Sequence, residues 1–576
     1  MNLTGGWVFV GKMINLLNYN YWETYTPDNK EPTNGHVKIA GGESSLNLGN
    51  IIYDCSLVTK TSQKSDNSKS VSFVYKGQEF VTYTHLPRNM SALETFQGWQ
   101  KTFFLSVAGL ILLGLLIEPI KTLIFLLGIL TAIYFIDLVF SFFTLYKNLS
   151  SESEIKISKK EIKKVDEETL PVYTILCPLY KEANVLEQFI EAIEGLDWPK
   201  EKLDVIFLLE EDDSVTVNAA YDLNLPAYYN ILVVPNSLPK TKPKACNYGL
   251  AHAKGDFLVI YDAEDRPDAL QLKKAYLGFK KVNSNVVCLQ SKLNYYNENQ
   301  NLLTRLFTAE YSLWFDLVLP GLQSIETTIP LGGTSNHFKI AALRYLDAWD
   351  PFNVTEDCDL GTRLFKAGFR TGILESTTYE EANSNVASWL RQRSRWIKGY
   401  LQTYLVHMRD PIDFIKKHKS HAFIFQLVIG ARMTFMIVNP VLWLMTISYF
   451  VLNRYLGTFI ESLYPPLIFY IGTVALVFGN FMYFYIYMVG CAKRGKWELI
   501  RYVFLIPFYW LLASVAAVKA FYQLIKNPYY WEKTEHGLHL VEKKVNFAPA
   551  FGGVWRIGRS FWAILLGFYS QRRLTT

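Results

Sequence analysis

The sequence predicts an α/β domain of mostly parallel strands, inserted between helical hairpins that cross a membrane and preceded by a small N-terminal domain. Half of the 576 residues are hydrophobic and only 19% are charged, whereas soluble proteins carry roughly 25% charged residues. Long and nearly uncharged runs stand on both sides of a central region. That region alternates short apolar runs with amphipathic stretches, which is typical of βαβ units.

The first hundred residues contain no long apolar run. Within them, the stretch 71–83 alternates apolar and polar residues in the manner of β-strands. We therefore predict a small β-rich accessory domain over residues 1–100, to which the sequence assigns no chemistry.

Two hairpins of apolar runs predict membrane-spanning helices. The runs 102–117 and 122–146 form a hairpin within 101–147, and the runs 433–452 and 467–492 form a second within 401–500, after an interface segment. Each run approaches the roughly 20 residues that cross a bilayer.

Basic residues flank the two hairpins on one side, at 147–164, 416–419 and 493–501. By the positive-inside rule this side is cytoplasmic, so the central region and the N-terminal domain face the cytoplasm of a plasma or inner membrane. Arg432, at the start of the third run, either faces a channel or extends to the interface.

A fifth apolar run at 502–518 is followed by Lys519 and a Trp/Tyr-rich flank. We predict that 501–526 is an interface helix, because a span here would move the next segment across the membrane. The tail 546–576 mixes arginines with aromatic residues and predicts either an interfacial or a membrane helix.

Acidic residues follow three of the predicted strands of the central domain, 165–400. The strands are predicted at 172–176, 203–209, 231–234, 257–261 and 286–289. The ends of parallel strands meet at one edge of a sheet, so these carboxylates should converge, and they would repel one another without a divalent cation. Oxygen ligands without His or Cys suit Mg²⁺ or Mn²⁺. Asp262 and Glu264 are the predicted ligands, and Asp265 is an alternative to Glu264.

A proline-broken lysine loop precedes a predicted helix. Lys244 stands in the first turn of that helix, where the ammonium and the helix N-terminus both attract phosphate. Lys240 and Lys242 are more typical of a solvated loop.

Other classes of function receive no support. A net charge of +6 is small for this length and does not indicate nucleic-acid binding. The six cysteines show no CxxC spacing, so the sequence predicts neither a zinc cage nor a disulfide framework.

Several short motifs occur in an order that resembles the processive family 2 glycosyltransferases, the group of cellulose synthase, hyaluronan synthase and chitin synthase. They are Tyr180 with Glu182, the acidic end of the second strand, Lys244-Ala245-Cys246-Asn247, Asp262-Ala263-Glu264-Asp265, Thr355-Glu356-Asp357 and Gln392-Arg393-Ser394-Arg395-Trp396. The likeness covers roughly 165–540. Its most specific part is Gln-x-x-Arg-Trp, which stands some 35 residues after Thr-Glu-Asp and before a membrane helix.

The resemblance implies a GT-A-type, Rossmann-like domain and a role for each motif. The implied contacts to the UDP part of a sugar donor are Tyr180, Glu182, Glu210, Asp212, Lys244, Asn247, Arg395 and Lys533. Asp262 and Glu264 hold the metal, Asp357 is the catalytic base and Glu356 orients it. Gln392, Trp396 and Thr355 contact the acceptor. The segment 527–545 resembles the gating loop of cellulose synthase.

The sequence departs from the family pattern in two places. Glu264 stands where the family usually has a second Asp. The second strand ends in four acids, so the uracil contact is Glu210, Glu211 or Asp212. The loop 332–336 resembles the family's small-residue loop at the acceptor end, and it is equally typical of an ordinary turn.

The expected function is that of a polysaccharide synthase. It would add sugars from UDP-glucose or another UDP-sugar to a growing β-linked chain, cellulose-like or of mixed linkage, and pass the chain through its membrane helices. Chitin- or hyaluronan-type synthesis from UDP-GlcNAc and transfer of one sugar to a lipid carrier are the alternatives. The expected partners are the donor, the growing polysaccharide, the lipid bilayer and an accessory secretion subunit, without nucleic acid.

Overall fold

The computed structural model describes residues 70–533. The predicted C-terminal helix, most of the gating-loop-like segment and most of the N-terminal domain lie outside the described residues. The described part begins with a hairpin of two antiparallel strands, β1 (Val71–Tyr75) and β2 (Gln78–Thr82). Lys76 and Gly77 both have positive φ, 51° and 78°, which is the turn geometry that matches the twist of a tight hairpin.

Two long apolar helices follow this hairpin. They are α1 (Gly98–Ile117) and α2 (Pro119–Ser150), joined at Glu118, and the short helix α3 (Lys159–Ile162) comes after them. Proline at the first position of α2 is favourable because that residue needs no backbone donor. The predicted first hairpin is therefore present as two helices.

The central domain contains one eight-stranded sheet in the order β5-β4-β3-β6-β9-β8-β10-β7. Its strands are β3 (Tyr173–Leu179), β4 (Leu203–Glu210), β5 (Tyr229–Val234), β6 (Phe257–Ile260), β7 (Arg266–Pro267), β8 (Val286–Tyr295), β9 (Asn336–Lys339) and β10 (Arg370–Glu380).

All five predicted strands belong to this sheet, and three strands that the sequence analysis did not name complete it. The sheet is mixed: β9 runs antiparallel to β6 and β8, and β7 runs antiparallel to β10. The strand β9 begins inside the predicted loop 332–336, where small polar residues conceal the strand pattern.

Helices alternate with these strands as the βαβ pattern requires. They are α4 (Leu186–Glu194), α5 (Ser214–Asp222), α6 (Lys242–His252), α7 (Gln271–Lys281), α8 (Leu302–Leu313), α9 (Leu319–Ser324), α10 (Ile340–Tyr345) and α11 (Glu356–Lys366). A π-helical turn, Trp314–Val318, joins α8 to α9.

The remaining helices lead from the domain to the second apolar region. They are α12 (Val386–His407), α13 (Pro411–His418), α14 (Ser420–Phe425), α15 (Arg432–Val451), α16 (Asn453–Ser462), α17 (Pro466–Lys493) and α18 (Ile506–Lys526). A π-helical turn links α14 to α15, and the 3-10 helix Trp497–Leu505 precedes α18.

Five helical segments in the described part are long and apolar enough to cross a membrane: Gly98–Ile117, Pro119–Ser150, Ser420–Val451, Pro466–Lys493 and Trp497–Lys526. Their surfaces expose large apolar side chains, with Leu116 at 75% and Phe450 at 74% exposure. Such surfaces are stable in contact with lipid rather than water. The first four segments contain the four predicted spans.

The fifth segment, predicted as an interface helix, also meets these criteria of length and composition. Residues on both sides of it nevertheless contact the central domain: Lys496, directly before the segment, pairs with Glu298, and Lys533, beyond its end, pairs with Glu182. In between, the Tyr509 hydroxyl donates to Glu310 Oε2 at 2.5 Å. The segment thus contacts the domain at Tyr509, and the chain contacts the domain again on either side of the segment.

A buried ion-pair network joins the membrane helices to the sheet. Lys292 on β8 donates to Glu154 Oε2 at 2.7 Å and to Asp316 Oδ1 at 3.0 Å. Lys493 donates to the other oxygen of Glu154, and Arg494 to the other oxygen of Asp316. Because these carboxylates are buried, the network holds the end of α17 against the edge of the sheet.

Candidate active site

Lys242 links the acids after β6 to the Gly333 loop, which lies next to the acid pair of α11. The Lys242 ammonium pairs with Asp262 and donates to the Gly333 carbonyl at 2.7 Å. A Cβ atom built on Gly333 would lie 3.4 Å from Asp357 Oδ2 and 3.9 Å from Lys242 Nζ. Lys242 thus connects Asp262 with the Gly333 loop beside Asp357, although these residues are far apart in the sequence.

The structure corrects the prediction that Lys242 belongs to a solvated loop. Its side chain is only 14% exposed and lies within the acidic cluster. Although burial disfavours the charge, Asp262 and Glu356 hold the pKa of Lys242 above its usual value. The sequence shows a lysine-rich stretch at the start of a helix, and it does not show which of the three lysines pairs with Asp262.

Residues 262–265 alternate between two environments. Asp262 and Glu264 are partly exposed, whereas Asp265 is buried. Asp265 Oδ2 accepts hydrogen bonds from the Asp262 amide, at 2.8 Å, and from the Thr334 hydroxyl. Since Asp265 thereby closes the turn, Asp262 and Glu264 are the two carboxylates of this turn that remain accessible to a ligand.

The donor set fits a divalent cation that also binds phosphates. In the described part of the chain, no three His, Cys, Asp or Glu side chains form a metal cage, and Mg²⁺ is commonly held by one or two carboxylates together with phosphate oxygens. Burial, followed by the charge of Asp262, raises the pKa of Glu264 to about 7. Asp265 Oδ1 is buried without a hydrogen-bond partner. An added positive charge would stabilise both carboxylates.

A further carboxylate reaches this cluster from β10. Burial and the charges of Asp265 and Glu264 raise the pKa of Glu380 well above its usual value. The sequence analysis missed Glu380, which is partly buried, because it ends a strand rich in Thr, Ser and Glu, whose composition does not predict a strand.

Glu356 and Asp357 share the first turn of α11, where the helix N-terminus favours negative charge. Burial and the neighbouring Asp357 raise the pKa of Glu356 to about 8. Burial raises the pKa of Asp357 only to about 6, because the Cys358 amide, which donates to Asp357 Oδ1 at 2.7 Å, and Lys242 oppose the shift. Of the two acids, Glu356 therefore holds its proton more strongly.

Helix α12 holds the loop that carries this acid pair. Gln402 Oε1 accepts from the Val354 amide at 3.0 Å, and Asn353 Nδ2 donates to Thr403 Oγ1 at 3.0 Å. Gly399 allows the helix to touch the loop, since a Cβ atom there would lie within 2.3 Å of Thr355 Oγ1 and 2.6 Å of the Thr355 backbone nitrogen. Thr355 is thus positioned by α12, directly before the acids.

Replacement of Gly399 by alanine is expected to displace the Thr355 loop and lower turnover at least tenfold, since overpacking costs about 1–3 kcal/mol. Gly109→Ala is the matched control, because nothing lies within 4 Å of a Cβ at Gly109. Turnover of the two purified variants checks the expectation, and equal activity would contradict it.

The Gln-x-x-Arg-Trp segment lies on α12 beside the acids. Burial lowers the pKa of Arg395, while Glu356 and Asp357 oppose the shift, and its guanidinium lies 4.4 Å from the Trp531 ring centroid. Trp396 packs near Phe307, at a centroid distance of 5.9 Å. The side-chain oxygen of Gln392 accepts from Asn383 at 3.0 Å.

The predicted nucleotide contacts lie at the ends of β3 and β4. Glu182 Oε2 accepts from the Tyr180 amide at 3.2 Å, and Asp212 pairs with Lys240 at 2.5 Å. Glu210 pairs with Lys244, a fully buried residue, at 3.2 Å.

Two of the predicted contacts lie beneath this surface. The ammonium of Lys244 is held by Glu210 and by the Ser237 carbonyl, and the amide group of Asn247 bonds both backbone groups of Trp349. Their nucleotide contacts stay predictions, and in this structure both side chains brace the loops around the site.

The segment 527–533 contacts both Glu182, at the predicted nucleotide end of the site, and helix α12. Lys533 pairs with Glu182, and Lys398 on α12 donates to the Tyr530 carbonyl at 2.7 Å. Gln402 Nε2 donates to the Pro528 carbonyl at 3.1 Å. This segment therefore connects the predicted nucleotide end to the helix that carries Arg395.

The site is a set of acids and cations at the edge of a mixed α/β sheet, next to helices that suit a membrane. Residues 257–522 match the family model described as Glycosyl transferase family group 2. This part of the chain is thus similar to glycosyltransferase family 2 domains, and the match includes the acids after β6, the acid pair of α11 and all of α12.

Two curated relatives carry the name of probable glycosyltransferase. YdaM of Bacillus subtilis (strain 168) is 24% identical over 233 residues, which cover 40% of this chain and 55% of the relative. A protein of Sulfolobus acidocaldarius is 24% identical over 254 residues, covering 43% and 53% respectively. The chain spans about half the length of these curated relatives.

Two solved structures are similar at a lower level. The mannosyltransferase PcManGT from Pyrobaculum calidifontis, in complex with GDP-Man and Mn²⁺, has a TM-score of 0.44 and 17% identity, covering 69% of this chain and 99% of that one. TarS of S. aureus has a TM-score of 0.31 and 14% identity, covering 46% and 43%.

Proposed function

We propose that this chain is a membrane-bound inverting glycosyltransferase that transfers a sugar from a nucleoside diphosphate donor, favoured as UDP-glucose, to a growing β-linked polysaccharide. The observation that carries this proposal is that Lys242, which donates to Gly333, pairs with Asp262 and lies near Asp357. In the proposal, Asp262 binds the donor diphosphate through its cation, and Asp357 faces the acceptor.

The proposed reaction uses the ionised carboxylate of Asp357 as the base. Asp357 accepts the proton of an acceptor hydroxyl as the hydroxyl oxygen forms a bond to the anomeric carbon. The bond between that carbon and the diphosphate oxygen breaks, and its electron pair leaves with the diphosphate. Lys242 and Arg395 lie near both carboxylate pairs and offset the negative charge on the leaving group.

Asp262 and Glu264 are the residues that would hold Mg²⁺ or Mn²⁺. Such a cation, when bound, supplies Lewis-acid stabilisation of the departing diphosphate. Since Glu356 holds its proton more strongly than Asp357, Asp357 is the acid of this pair that is proposed as the base.

The proposal of a polymer rests on the position of the site beside the membrane helices. Helix α12 carries Arg395 and Trp396, packs along α18, and is followed by α13 and the apolar segment Ser420–Val451. The contacts of Lys496 and Lys533, on either side of Trp497–Lys526, with the domain support the proposal of an interface helix, which would leave segment 527–533 on the same side of the membrane as the domain. An acceptor that extends from Trp396 would then be directed towards lipid.

Product analysis with the reconstituted full chain tests this function. The protein is incubated with Mn²⁺ and, in turn, radiolabelled UDP-glucose, UDP-GlcNAc and GDP-mannose. A product of high molecular weight that a linkage-specific hydrolase degrades is the expected result. A lipid-extractable product would instead support transfer of one sugar to a lipid carrier, and no product with any donor would refute the proposal.

The pH dependence of kcat/KM provides a second test. The base must be ionised, so activity is expected to rise with pH through about 6 and to fall tenfold per pH unit below it, in accord with the pKa of about 6 for Asp357. Initial rates between pH 4.5 and 8 measure this acidic limb. A limb near pH 4 would contradict the assignment, since it would indicate an unperturbed carboxylate.

A further inference from the structure

The N-terminal hairpin packs against three loops of the candidate site. The Val81 amide donates to the Leu238 carbonyl at 2.8 Å, just before the lysine loop that contains Lys242. The Ser91 hydroxyl donates to Asp350 Oδ1 at 2.8 Å, in the loop that leads to the acid pair of α11.

The third contact is with the segment 527–533. The Phe80 ring lies 5.3 Å from Phe352 and 6.1 Å from Tyr529, measured between centroids, and Phe352 lies 5.2 Å from Tyr529. The Tyr529 hydroxyl donates to the Leu93 carbonyl. These aromatic rings link the hairpin to the segment that carries Lys533.

This interface is a packed core and not a loose surface contact. Phe80, Phe352 and Leu93 are each 3% exposed. Asp350 is fully buried, and burial together with Asp359 raises its pKa to about 6. The chain that follows the hairpin donates two hydrogen bonds to the Asp350 carboxylate, one from the Ser91 hydroxyl and one from the Ala92 amide at 2.5 Å. A buried carboxylate that loses such donors is costly, so the loops and the hairpin are ordered together.

We propose that residues 71–93 are a positioning clamp that holds the segment 527–533 over the nucleotide end of the site, so that donor affinity depends on them. The clamp rests on the proposed function of that site, and it assigns a role to a part of the chain outside the family match. Phe80 and Leu93 act through Tyr529 and do not touch the predicted donor contacts.

Phe80→Ala in the full chain tests the clamp by two measurements. Loss of the ring is expected to raise the donor KM about tenfold, the equivalent of about 1.4 kcal/mol, with kcat changed by less than about threefold. It is also expected to raise the rate of trypsin cleavage after Lys533 about tenfold, because local opening exposes the segment. Phe80→Leu, which keeps most of the apolar contact, should restore both quantities.

Val74→Ala is the matched control, since Val74 is 69% exposed on the same hairpin. If Phe80→Ala fails to fold, Tyr529→Phe tests the clamp instead. It removes only the hydroxyl that donates to the Leu93 carbonyl and keeps the aromatic ring. That variant should raise cleavage after Lys533 severalfold. Unchanged cleavage after Lys533, or an unchanged donor KM, in the folded variant would overturn the clamp.

The two proposals fail separately. Cleavage by trypsin requires no donor, so it still decides on the clamp if no sugar is transferred from any donor. If no donor supports transfer but Phe80→Ala is cleaved faster after Lys533, the proposed function fails and the clamp stands. Transfer that proceeds with an unchanged KM in Phe80→Ala would overturn the clamp alone.

Discussion

Replacement of Asp357 by asparagine should lower sugar transfer on the order of 10³-fold while leaving nucleotide binding intact. The amide has nearly the shape of the carboxylate but does not accept a proton, and a positioned base contributes about 10²–10⁴ in rate. The loop should keep its conformation, because asparagine can still accept the hydrogen bond from the Cys358 amide. The measurements are turnover of the UDP-sugar and the Kd of UDP in the same preparation.

Asp222→Asn is the control for this variant, since Asp222 is an exposed acid at the end of α5, away from the site. It should retain full activity. Transfer within a few-fold of wild type by Asp357→Asn would remove Asp357 from the role of base. Loss of UDP binding together with activity would indicate a structural role instead.

Replacement of Asp262 by asparagine should weaken Mn²⁺ binding on the order of 100-fold and raise the donor KM. A neutral amide is a poor ligand for a divalent cation, and even supporting residues of metal sites change affinity by about 10–100-fold. The substitution also removes the negative charge that pairs with the Lys242 ammonium. Electron paramagnetic resonance of free Mn²⁺, titrated into protein with UDP, measures the change without requiring turnover.

Asp256→Asn is the matched control, because Asp256 is exposed at the opposite end of the same strand, β6. It should bind Mn²⁺ as the wild type does. Equal affinity in Asp262→Asn and wild type would exclude Asp262 as a ligand. A loss of affinity in both variants would point to a general effect of charge rather than to a site.

The position of Asp262 and Glu264 at a strand end could be predicted, because it depends only on the residues directly before them in the sequence. An apolar run predicts a buried strand, and residues directly after it lie at the strand end. Leu258, Val259 and Ile260 are buried in the structure, and Asp262 follows them as expected. The choice between Glu264 and Asp265 could not be made in this way, because it depends on the Thr334 hydroxyl from a distant loop.

The lysine loop illustrates the opposite case. Lys242 and Lys244 are two residues apart and chemically identical, and the helix start favours either of them for phosphate. Lys244 is drawn beneath the sheet edge by Glu210, whereas Lys242 is drawn to Asp262 and Gly333. The residues that pair with these two lysines lie on other strands or loops. The sequence around the lysines therefore does not show which lysine pairs with which acid.

The amino-acid sequence by itself determined the alternation of strands and helices, the acidic strand ends and the apolar segments, because hydrophobic periodicity and run length are local properties. The tertiary structure alone decided that β9 runs antiparallel in the middle of the sheet, that Glu380 joins the acids, and that the hairpin 71–82 packs on Phe352 and Tyr529. These contacts join residues as much as 450 positions apart, and they arise when separate apolar faces are buried together.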